Sequence, residues 1–324
     1  MGNLMLEYLT GAPGKSGFGS SSTAEDVTLG LSLGNLTAIV TGATSGIGAE
    51  TAKVLAKRGC LVIVPARNLK AAESLKESIL RESPKAKILT FKMDLSSFSS
   101  VRCFAEQFLA LNLPLNILIN NAGVACKSYR KSDDGYEMTF ATNHLGHFLL
   151  TELLLERMVK SADEMGVQGR IVNVASCLHT WVGKDGIAFD KLHDKQSYVE
   201  SMNYAQSKLA NILHSNQLAL RLKEMGASVT ANSVHPGIVK TNITRDRGGF
   251  VTDMIFRIAS IFLKTIPQGA ATVCYVAAHP NVEGATGKYF LDCNEAECSY
   301  LANDKKQAAR LWEYSERLTR TQAP

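Results

Sequence analysis

Short apolar runs rich in valine, isoleucine and leucine alternate with longer amphipathic stretches from about residue 36 onward. The runs lie at 36–42, 60–67, 86–95, 115–123, 169–176 and 228–237, and the stretches at 50–59, 69–82, 98–110, 134–160 and 202–225. Short buried strands separated by helices indicate βαβ units and a parallel sheet. Right-handed crossovers cover both faces of such a sheet. The pattern therefore predicts one α/β domain with a doubly wound parallel sheet over residues 36–324.

The two ends of the chain depart from this pattern. Residues 11–23 are rich in glycine and serine, which predicts a flexible N-terminal arm over 1–35. Residues 303–320 place apolar side chains at helical spacing within a basic sequence, which predicts an amphipathic C-terminal helix. Such a helix could bind calmodulin or an anionic surface, or it could pack on the domain.

Composition and charge narrow the classes of function. The chain has 324 residues, 45% of them hydrophobic and 20% charged, as in ordinary soluble proteins. Its net charge of +5 is spread out, so no nucleic-acid partner is expected. The 7 cysteines are scattered, which indicates free thiols in a reducing compartment and no metal site. No apolar run is long enough for a transmembrane helix and no secretory signal is evident, so we expect a protein that is not secreted.

A glycine-rich turn joins the first predicted strand to the first predicted helix. It reads TGATSGIG over residues 41–48. Glycines allow close backbone approach, and the N–H groups and macrodipole of a helix N-terminus favour an anion. A plain tight turn could use the same glycines, and the spacing differs from the commoner G-x-G-x-x-G fingerprint. The position between strand and helix favours a dinucleotide diphosphate, with contacts from Gly42, Thr44, Ser45, Gly46, Ile47 and Gly48.

The end of the second strand bears on the choice of cofactor. A carboxylate there would bind the 2′-hydroxyl of NAD, whereas arginine suits the 2′-phosphate of NADP. This chain has Arg67 and Asn68 at that place, which predicts NADP(H), although an exposed loop arginine is the alternative. After the third strand, Asp94 is placed to accept from the adenine amino group, with Leu95 beside it.

Tyr204 and Lys208 are four residues apart in the predicted helix 202–225. Residues at this spacing share one helical face. An ammonium beside a phenol favours the phenolate and so eases proton transfer near neutral pH. A solvated surface pair has the same spacing, so the pair needs the rest of the sequence to support it.

These residues occur with others in an order that resembles the short-chain dehydrogenases/reductases. The shared positions are 41–48, Asn120-Asn121-Ala122-Gly123, Asn143, Ser176, Tyr204, Lys208 and Pro236-Gly237, and the resemblance covers about residues 36–290. ATNHLGHFLLTELLL, RIVNVASCLH and YAQSKLANILHSNQLA are similar to the retinol-dehydrogenase-like branch. GFGSSSTAEDVT, FDKLHDKQSY and PQGAATVCYVA resemble plant members associated with the chloroplast envelope translocon.

The resemblance implies a Rossmann-type fold and a role for each matching residue. Tyr204 would be the general acid or base, and Lys208 would bind the nicotinamide ribose and lower the tyrosine pKa. Ser176 would hold the substrate oxygen, and Asn143 would anchor a water chain leading to Lys208. Asn120, Ala122 and Gly123 would line the adenosine side, and Pro236, Gly237, Ile238, Val239 and Thr241 would cover the nicotinamide carboxamide.

Two segments bear on the substrate. The 177–203 loop, between Ser176 and Tyr204, is longer than in the simplest relatives, so His179, Trp181 and Phe189 are candidate substrate contacts, with ordinary packing as the alternative. In this family the segment after the Pro-Gly turn covers the substrate, which implies a lid over 238–266. Its apolar residues, among them Phe250 and Met254, favour a lipophilic substrate, although a core helix or a membrane-surface contact would also fit.

Other residues have more than one interpretation. His144 and His147, three apart on a helix, could suit a metal, but packing is favoured because no carboxylate or cysteine partner lies near in the motif. Ala175 stands where relatives often have a second serine, which leaves Ser176 as the candidate hydroxyl there.

The sequence thus predicts an NADP(H)-dependent oxidoreductase acting on a carbonyl or secondary alcohol of a small lipophilic molecule. The alternative is a redox-sensing component, associated with calmodulin or a translocon, that binds NADP(H) with little turnover. The resemblance implies a cytoplasmic or chloroplast-associated protein, and a homodimer is one of its possible assemblies.

Overall fold

The structure is a computed structural model, and it describes residues 10–239 and 263–320. The strands are β1 Thr37–Val40, β2 Leu61–Ala66, β3 Lys87–Lys92, β4 Ile117–Asn120, β5 Gly169–Val174, β6 Val229–His235, β7 Ile238–Val239, β8 Leu263–Lys264, β9 Tyr289–Leu291 and β10 Asn294–Ala296. Eight of them form one sheet in the order β10-β9-β6-β5-β4-β1-β2-β3, and β7 pairs with β8 separately. β10 runs antiparallel to β9, and the strands from β9 to β3 pair in parallel.

Helices cover both faces of the large sheet. They are α1 Ala24–Val27, α2 Gly46–Lys57, α3 Leu69–Glu82, α4 Phe98–Ala110, α5 Gly146–Met165, α6 Glu200–Glu224, α7 Ile266–Ala278 and α8 Lys305–Arg320. One apolar core packs α4, α5, α6 and α8 against the sheet, and a second packs α1, α2, α3 and α7. The predicted doubly wound α/β fold is therefore confirmed.

A π-helical turn precedes α5. A short helical turn, Met138–Phe140, is capped by the buried carboxylate of Glu137, which accepts from the N–H groups of Thr139 and Phe140, each at 2.8 Å. The chain then winds through a π turn, Ala141–Leu145, before the regular α5 begins. The predicted helix over 134–160 is observed over residues 138–165, and it contains one wider turn, a feature that is frequent at functional sites.

The described part of the N-terminal segment is attached to the domain, which corrects the expectation of a flexible arm. The Phe18 ring packs on Tyr275 and His279 of the α7 region. The Asn294 side chain accepts from Ser16 N–H at 2.9 Å and donates to the Phe18 carbonyl at 2.9 Å. Composition suggested flexibility because glycine and serine carry little apolar surface, but the Phe18 ring, the buried Val27 and Leu33 side chains and these hydrogen bonds offset the cost of ordering.

The C-terminal helix packs on the domain. Trp312 of α8 is 3% exposed, lies 5.0 Å from the Phe148 ring and stacks under the Arg221 guanidinium at 4.1 Å. Leu311 and Ala308 are buried on the same face. Calmodulin could reach this apolar face only after α8 had left the domain, so the packing alternative holds for the described structure.

No helix in the ranges 10–239 and 263–320 combines the length and apolarity needed to cross a bilayer. Most of the predicted lid over 238–266, including Thr241, Phe250 and Met254, lies outside the described residues. The described flanks of that segment are β7 and β8, which pair through Ile238 with Leu263 and Val239 with Lys264.

Candidate active site

The strand order reverses at β1 and β4, where the glycine turn meets the 121–123 loop. In open α/β sheets, ligands bind outside the carboxyl ends of the strands at such a point. Gly42 follows β1 with φ of 65°, and a Cβ there would lie 2.7 Å from the Ala122 Cα. A Cβ on Gly48 would clash with the Asn121 side chain. Glycine is required at Gly42 because the backbone of the other loop lies against it, and at Gly48 because the Asn121 side chain and the Gly42 carbonyl take the space of a Cβ.

The N-terminus of α2 faces outward at this edge of the sheet. Its N-cap, Ser45, makes no side-chain capping bond, so the first N–H groups are not satisfied by that residue. Ile47 and Val239 both converge on Gly269 of α7, since a Cβ there would lie 3.3 Å from Ile47 Cγ1 and 2.5 Å from Val239 Cγ2. The glycine turn and the Pro236–Gly237 turn therefore border the same crevice.

The predicted adenosine contacts lie at the ends of β2 and β3. Arg67 is exposed, and the Lys92 ammonium donates to its carbonyl at 2.6 Å. Asn68 caps α3, because its Oδ1 accepts from Ala71 N–H at 3.3 Å. One Asp94 oxygen accepts from the Ser96 N–H at 2.9 Å and the Ser96 hydroxyl at 2.7 Å. Lys92 is a second cation at this corner that the sequence reasoning missed, although its place at the end of the third strand was the available signal.

Three of the other predicted cofactor contacts, Asn120, Leu95 and Gly237, also have packing or hydrogen-bond partners within the fold. The Asn120 side chain is buried and donates to Thr151 Oγ1 at 3.0 Å and Asn173 Oδ1 at 2.8 Å, which steadies the central strands. Leu95 is buried where its carbonyl faces Gly146 of α5. Gly237 has φ of 86° and rests on the Lys264 stem, whose ammonium pairs with Asp292.

Tyr204 and Lys208 share one face of α6, as the spacing predicts. The Lys208 Nζ lies 5.6 Å from the centroid of the Tyr204 ring. Lys208 is only 2% exposed and donates to the Val174 carbonyl at 2.9 Å. Burial lowers the pKa of Lys208 to about 8, because removal from water disfavours the charged form. The interpretation as a solvated surface pair is therefore wrong.

Asn143 lies in the π turn and joins this pair to the 121–124 loop. Its Oδ1 accepts from Val124 N–H at 2.8 Å, and its Nδ2 donates to the Val124 carbonyl and to Ser207 Oγ, each at 3.0 Å. Gly123 lies between the two polar groups, since a Cβ there would be 3.5 Å from both Asn143 Oδ1 and Lys208 Nζ. The structure thus brings Asn143, Gly123, Tyr204 and Lys208 together.

Ser176 ends the β5 region, two residues after the carbonyl that binds Lys208. Its Oγ accepts from Leu178 N–H at 3.2 Å, which leaves the hydroxyl proton for donation. His179 is buried and uses both ring nitrogens: Nδ1 lies 2.7 Å from the Ser176 carbonyl, and Nε2 accepts from Ser299 N–H at 3.1 Å. His179 therefore holds the Ser176 turn, which differs from the substrate contact that we expected.

The 177–203 loop has an exposed side and a packed side. Trp181 is 63% exposed, whereas Phe189 is buried and packs edge-on against Tyr314 of α8. Gln206, which the sequence reasoning passed over, accepts from Ala188 N–H at 2.7 Å and so ties the loop to α6 between Tyr204 and Lys208. The bond between Ala188 of the loop and Gln206 of α6 could not be predicted from spacing, because the two residues come from separate segments.

The chain's own groups fit a nicotinamide dinucleotide. The α2 N-terminus, whose N-cap Ser45 makes no side-chain capping bond, offers N–H donors to a diphosphate. Arg67 and Lys92 supply positive charge at the adenosine corner. Lys208 and Tyr204 lie on the far side of the 121–123 loop, where a nicotinamide ribose would reach them.

Comparison with known proteins agrees with this geometry. A family model described as short chain dehydrogenase matches residues 36–188. The chain is 55% identical to short-chain dehydrogenase TIC 32 B, chloroplastic, of Brassica napus, over 96% of this chain and 97% of that protein. It is 44% identical to retinol dehydrogenase 12 of Mus musculus, over 86% of this chain and 84% of that protein.

Solved structures show the same fold. A putative uncharacterized protein from Mycobacterium paratuberculosis superposes with a TM-score of 0.72 at 31% identity, covering 94% of this chain and 99% of that one. An actinorhodin polyketide ketoreductase with NADPH superposes with a TM-score of 0.62 at 25% identity, covering 80% and 96%. The chain is thus an NAD(P)-dependent oxidoreductase acting on CH–OH groups, a member of the short-chain dehydrogenase/reductase family.

Proposed function

We propose that this protein uses NADP(H) to interconvert a carbonyl and a secondary alcohol on a small lipophilic molecule, with Tyr204 as the general acid or base. The burial of Lys208 beside the Tyr204 ring carries the proposal. An ammonium removed from water favours a neighbouring phenolate more strongly than a solvated one would. A lysine that served only solubility would be exposed.

The proton steps follow from the side chains. The nicotinamide, when bound, supplies or takes up the hydride. The alkoxide oxygen that forms on the substrate accepts the phenolic proton of Tyr204, while the Ser176 hydroxyl donates to the same oxygen. Lys208 favours the phenolate that remains. Asn143, held by Val124 and Ser207, would anchor the water chain through which a proton from solvent returns to Lys208 and Tyr204. In alcohol oxidation the same proton moves from the substrate to Tyr204.

Substitution of Tyr204 tests the assignment. Tyr204→Phe removes only the hydroxyl, so kcat for carbonyl reduction should fall about 10²- to 10⁴-fold while NADPH still binds. Tyr300→Phe is the matched control, because Tyr300 is 71% exposed. Steady-state rates with retinoid, steroid and aromatic carbonyls, with NADPH affinity followed by fluorescence, give both readouts. Equal rates for wild type and Tyr204→Phe would refute the role.

The preference for NADP(H) rests on the positive corner at β2 and β3. The Arg67 guanidinium and the Lys92 ammonium belong to adjacent strand ends, where a 2′-phosphate would lie. Arg67→Asp should weaken NADPH far more than NADH. Arg81→Asp makes the same charge change at the other end of α3, about 18 Å along the helix from the β2 end, and serves as the control. An unchanged ratio of the two Kd values in Arg67→Asp would contradict the assignment.

The lipophilic substrate is supported by the exposed Trp181 beside the Ser176 turn and by the retinol dehydrogenases among the relatives. A panel that sets long apolar aldehydes and ketones against small polyhydroxylated ones tests it. Preference for the polyhydroxylated compounds would contradict this substrate class.

The chloroplast location rests on the names of the Brassica napus relatives, and fractionation of a tagged protein would test it. The alternative of a translocon-associated regulatory component draws on the same names. Tight NADPH binding with no turnover across the whole panel would favour that alternative.

A further inference from the structure

Hydrogen bonds form a closed ring around the point where the glycine turn, the 121–124 loop and the π turn meet. The Thr41 hydroxyl accepts from Asn121 N–H at 2.9 Å and from Ala122 N–H at 3.0 Å. Asn143 holds the same loop from the other side, through both backbone groups of Val124. His147 completes the ring, because its Nε2 lies 2.8 Å from Thr41 Oγ1 and its Nδ1 lies 3.1 Å from the Asn143 carbonyl.

The donors and acceptors of this ring fit one tautomer of His147. The Asn143 carbonyl can only accept, so Nδ1 carries the proton and Nε2 is an acceptor. The Thr41 hydroxyl then donates to Nε2 at 2.8 Å, which is nearer than its other acceptor, the Ile119 carbonyl at 3.3 Å. Its two lone pairs remain for the N–H groups of Asn121 and Ala122. With a proton on Nε2, Thr41 Oγ1 would face three donors with two lone pairs.

His147 is buried at the start of α5, and its polar contacts are with Thr41 of the glycine turn and Asn143 of the π turn. Burial lowers the pKa of its imidazole to about 4, which keeps the ring neutral. A neutral imidazole can accept at one nitrogen and donate at the other, which phenylalanine of similar shape cannot do. The side chain therefore suits a role in joining two polar groups rather than in filling space.

We propose that His147 is a positioning residue that fixes the distance between the dinucleotide-binding turn and Asn143. It orients Thr41, the residue that precedes Gly42, through the bond to the hydroxyl. It holds the π turn through the bond to the Asn143 carbonyl. The two ends of the cofactor site then keep one geometry. The inference rests on the proposed binding of NADPH at the glycine turn.

His144 offers a matched comparison on the same stretch of chain. It is also buried, but its Nε2 lies 2.8 Å from Ser315 Oγ of the C-terminal helix α8. His144→Phe and His147→Phe therefore remove one buried imidazole each, three residues apart. The first loses a contact with α8, and the second loses the contacts with Thr41 and Asn143.

The experiment compares purified full-length variants by NADPH fluorescence titration, steady-state kinetics and thermal unfolding. His147→Phe should raise the NADPH Kd about tenfold and lower kcat, because the loss of a buried hydrogen bond has about this effect. His147→Gln should return the Kd to within about threefold of wild type, since its amide oxygen can accept from Thr41. His144→Phe should lower Tm with little change in Kd.

A double substitution guards against a general loss of structure. Thr41→Val and His147→Phe should together raise the Kd by less than the product of their separate effects, because they break the same bond. If His147→Phe does not fold, the NADPH Kd values of His147→Gln, of Thr41→Val and of their double variant supply the comparison. Equal effects of His144→Phe and His147→Phe on Kd, kcat and Tm would overturn the proposal. Absence of NADPH binding in wild type would instead refute the proposed function.

Discussion

The proposed proton-transfer group, formed by Asn143, Tyr204 and Lys208, differs from the 177–203 loop in how it is held. Asn143 and Lys208 are buried and bond to backbone groups of other elements. The loop also bonds to other segments, for example Tyr129 Oη to the His193 carbonyl and Ala188 N–H to Gln206, but it leaves Trp181 exposed to solvent. We infer that the chemistry depends on an interior that tolerates little change, and that substrate choice depends on a surface that can vary.

The largest effect is expected at Lys208, where one substitution should lower the activity and raise the free energy of unfolding. Lys208→Met should lower kcat/KM about 10³-fold, because the phenolate of Tyr204 loses its cation. The folded-state pKa of about 8 lies below the ordinary value of 10.5, so the unfolded chain holds this proton more tightly. The cost to folding is full below pH 8 and disappears as pH rises towards 10.5. Each pKa unit is worth about 1.4 kcal/mol, so the variant should be about 1–3 kcal/mol more stable at pH 7.

Urea unfolding and steady-state kinetics check this prediction. The Val174 carbonyl keeps a donor in the variant, since Asn211 Nδ2 also bonds to it at 3.0 Å. Lys223→Met, an exposed lysine on the same helix, is the control and should change neither quantity much. In wild type, the rate of carbonyl reduction should fall above about pH 8 as Lys208 loses its proton. A variant that is active and less stable would break the comparison.

Trp312→Ala separates support of the fold from the chemistry. Removal of this buried ring should reduce the free energy of unfolding by about 3–5 kcal/mol, because Phe148 and Arg221 lose their partner. The NADPH Kd of the folded fraction should stay close to that of wild type. Denaturant unfolding and fluorescence titration measure the two effects. A large loss of affinity with unchanged stability would contradict a purely supporting role for α8.

Gln206 links the two regions and should show a smaller effect. Gln206→Leu removes the acceptor for Ala188 N–H, so KM for the substrate should rise about fivefold while the NADPH Kd changes little. Gln206→Glu keeps an acceptor at the same place and should behave nearly as wild type. Parallel kinetics with varied substrate and varied NADPH distinguish the two constants. A change confined to NADPH would place the effect on the cofactor side instead.

Trp181→Ala should change the free energy of unfolding least of these variants, and it should change KM for some substrates only. An exposed side chain contributes little to folding, so the free energy of unfolding should change by less than about 0.5 kcal/mol. KM should rise for large apolar substrates and stay the same for small ones, as measured across a chain-length series. A uniform change for all substrates would show that Trp181 does not select among them.

Local pattern was enough to predict strands β1 to β6, the glycine turn and the Tyr204–Lys208 pair, because each depends on spacing within one element. The short strands β7 to β10 were not predicted, since two or three residues are too few to show an alternating pattern. The π turn was missed, since one wider turn leaves the apolar pattern of the helix nearly unchanged. The partners of His147, Gln206 and Phe18 come from distant segments, and no local period encodes them. The sequence predicted an amphipathic C-terminal helix, but which surface its apolar face covers was decided by Trp312 meeting Phe148 and Arg221.

The pairing of β7 with β8 has a consequence for how the protein can be changed. Val239 and Lys264 are neighbours across two strands, so the two ends of the segment between them lie close together. The free-energy cost of closing a loop grows only with the logarithm of its length. A change in the length of that segment should therefore cost little free energy, and β7 and β8 do not belong to the large sheet. Insertions or deletions between β7 and β8 could therefore change substrate specificity in evolution, while Ser176, Tyr204 and Lys208 on other elements stay in place.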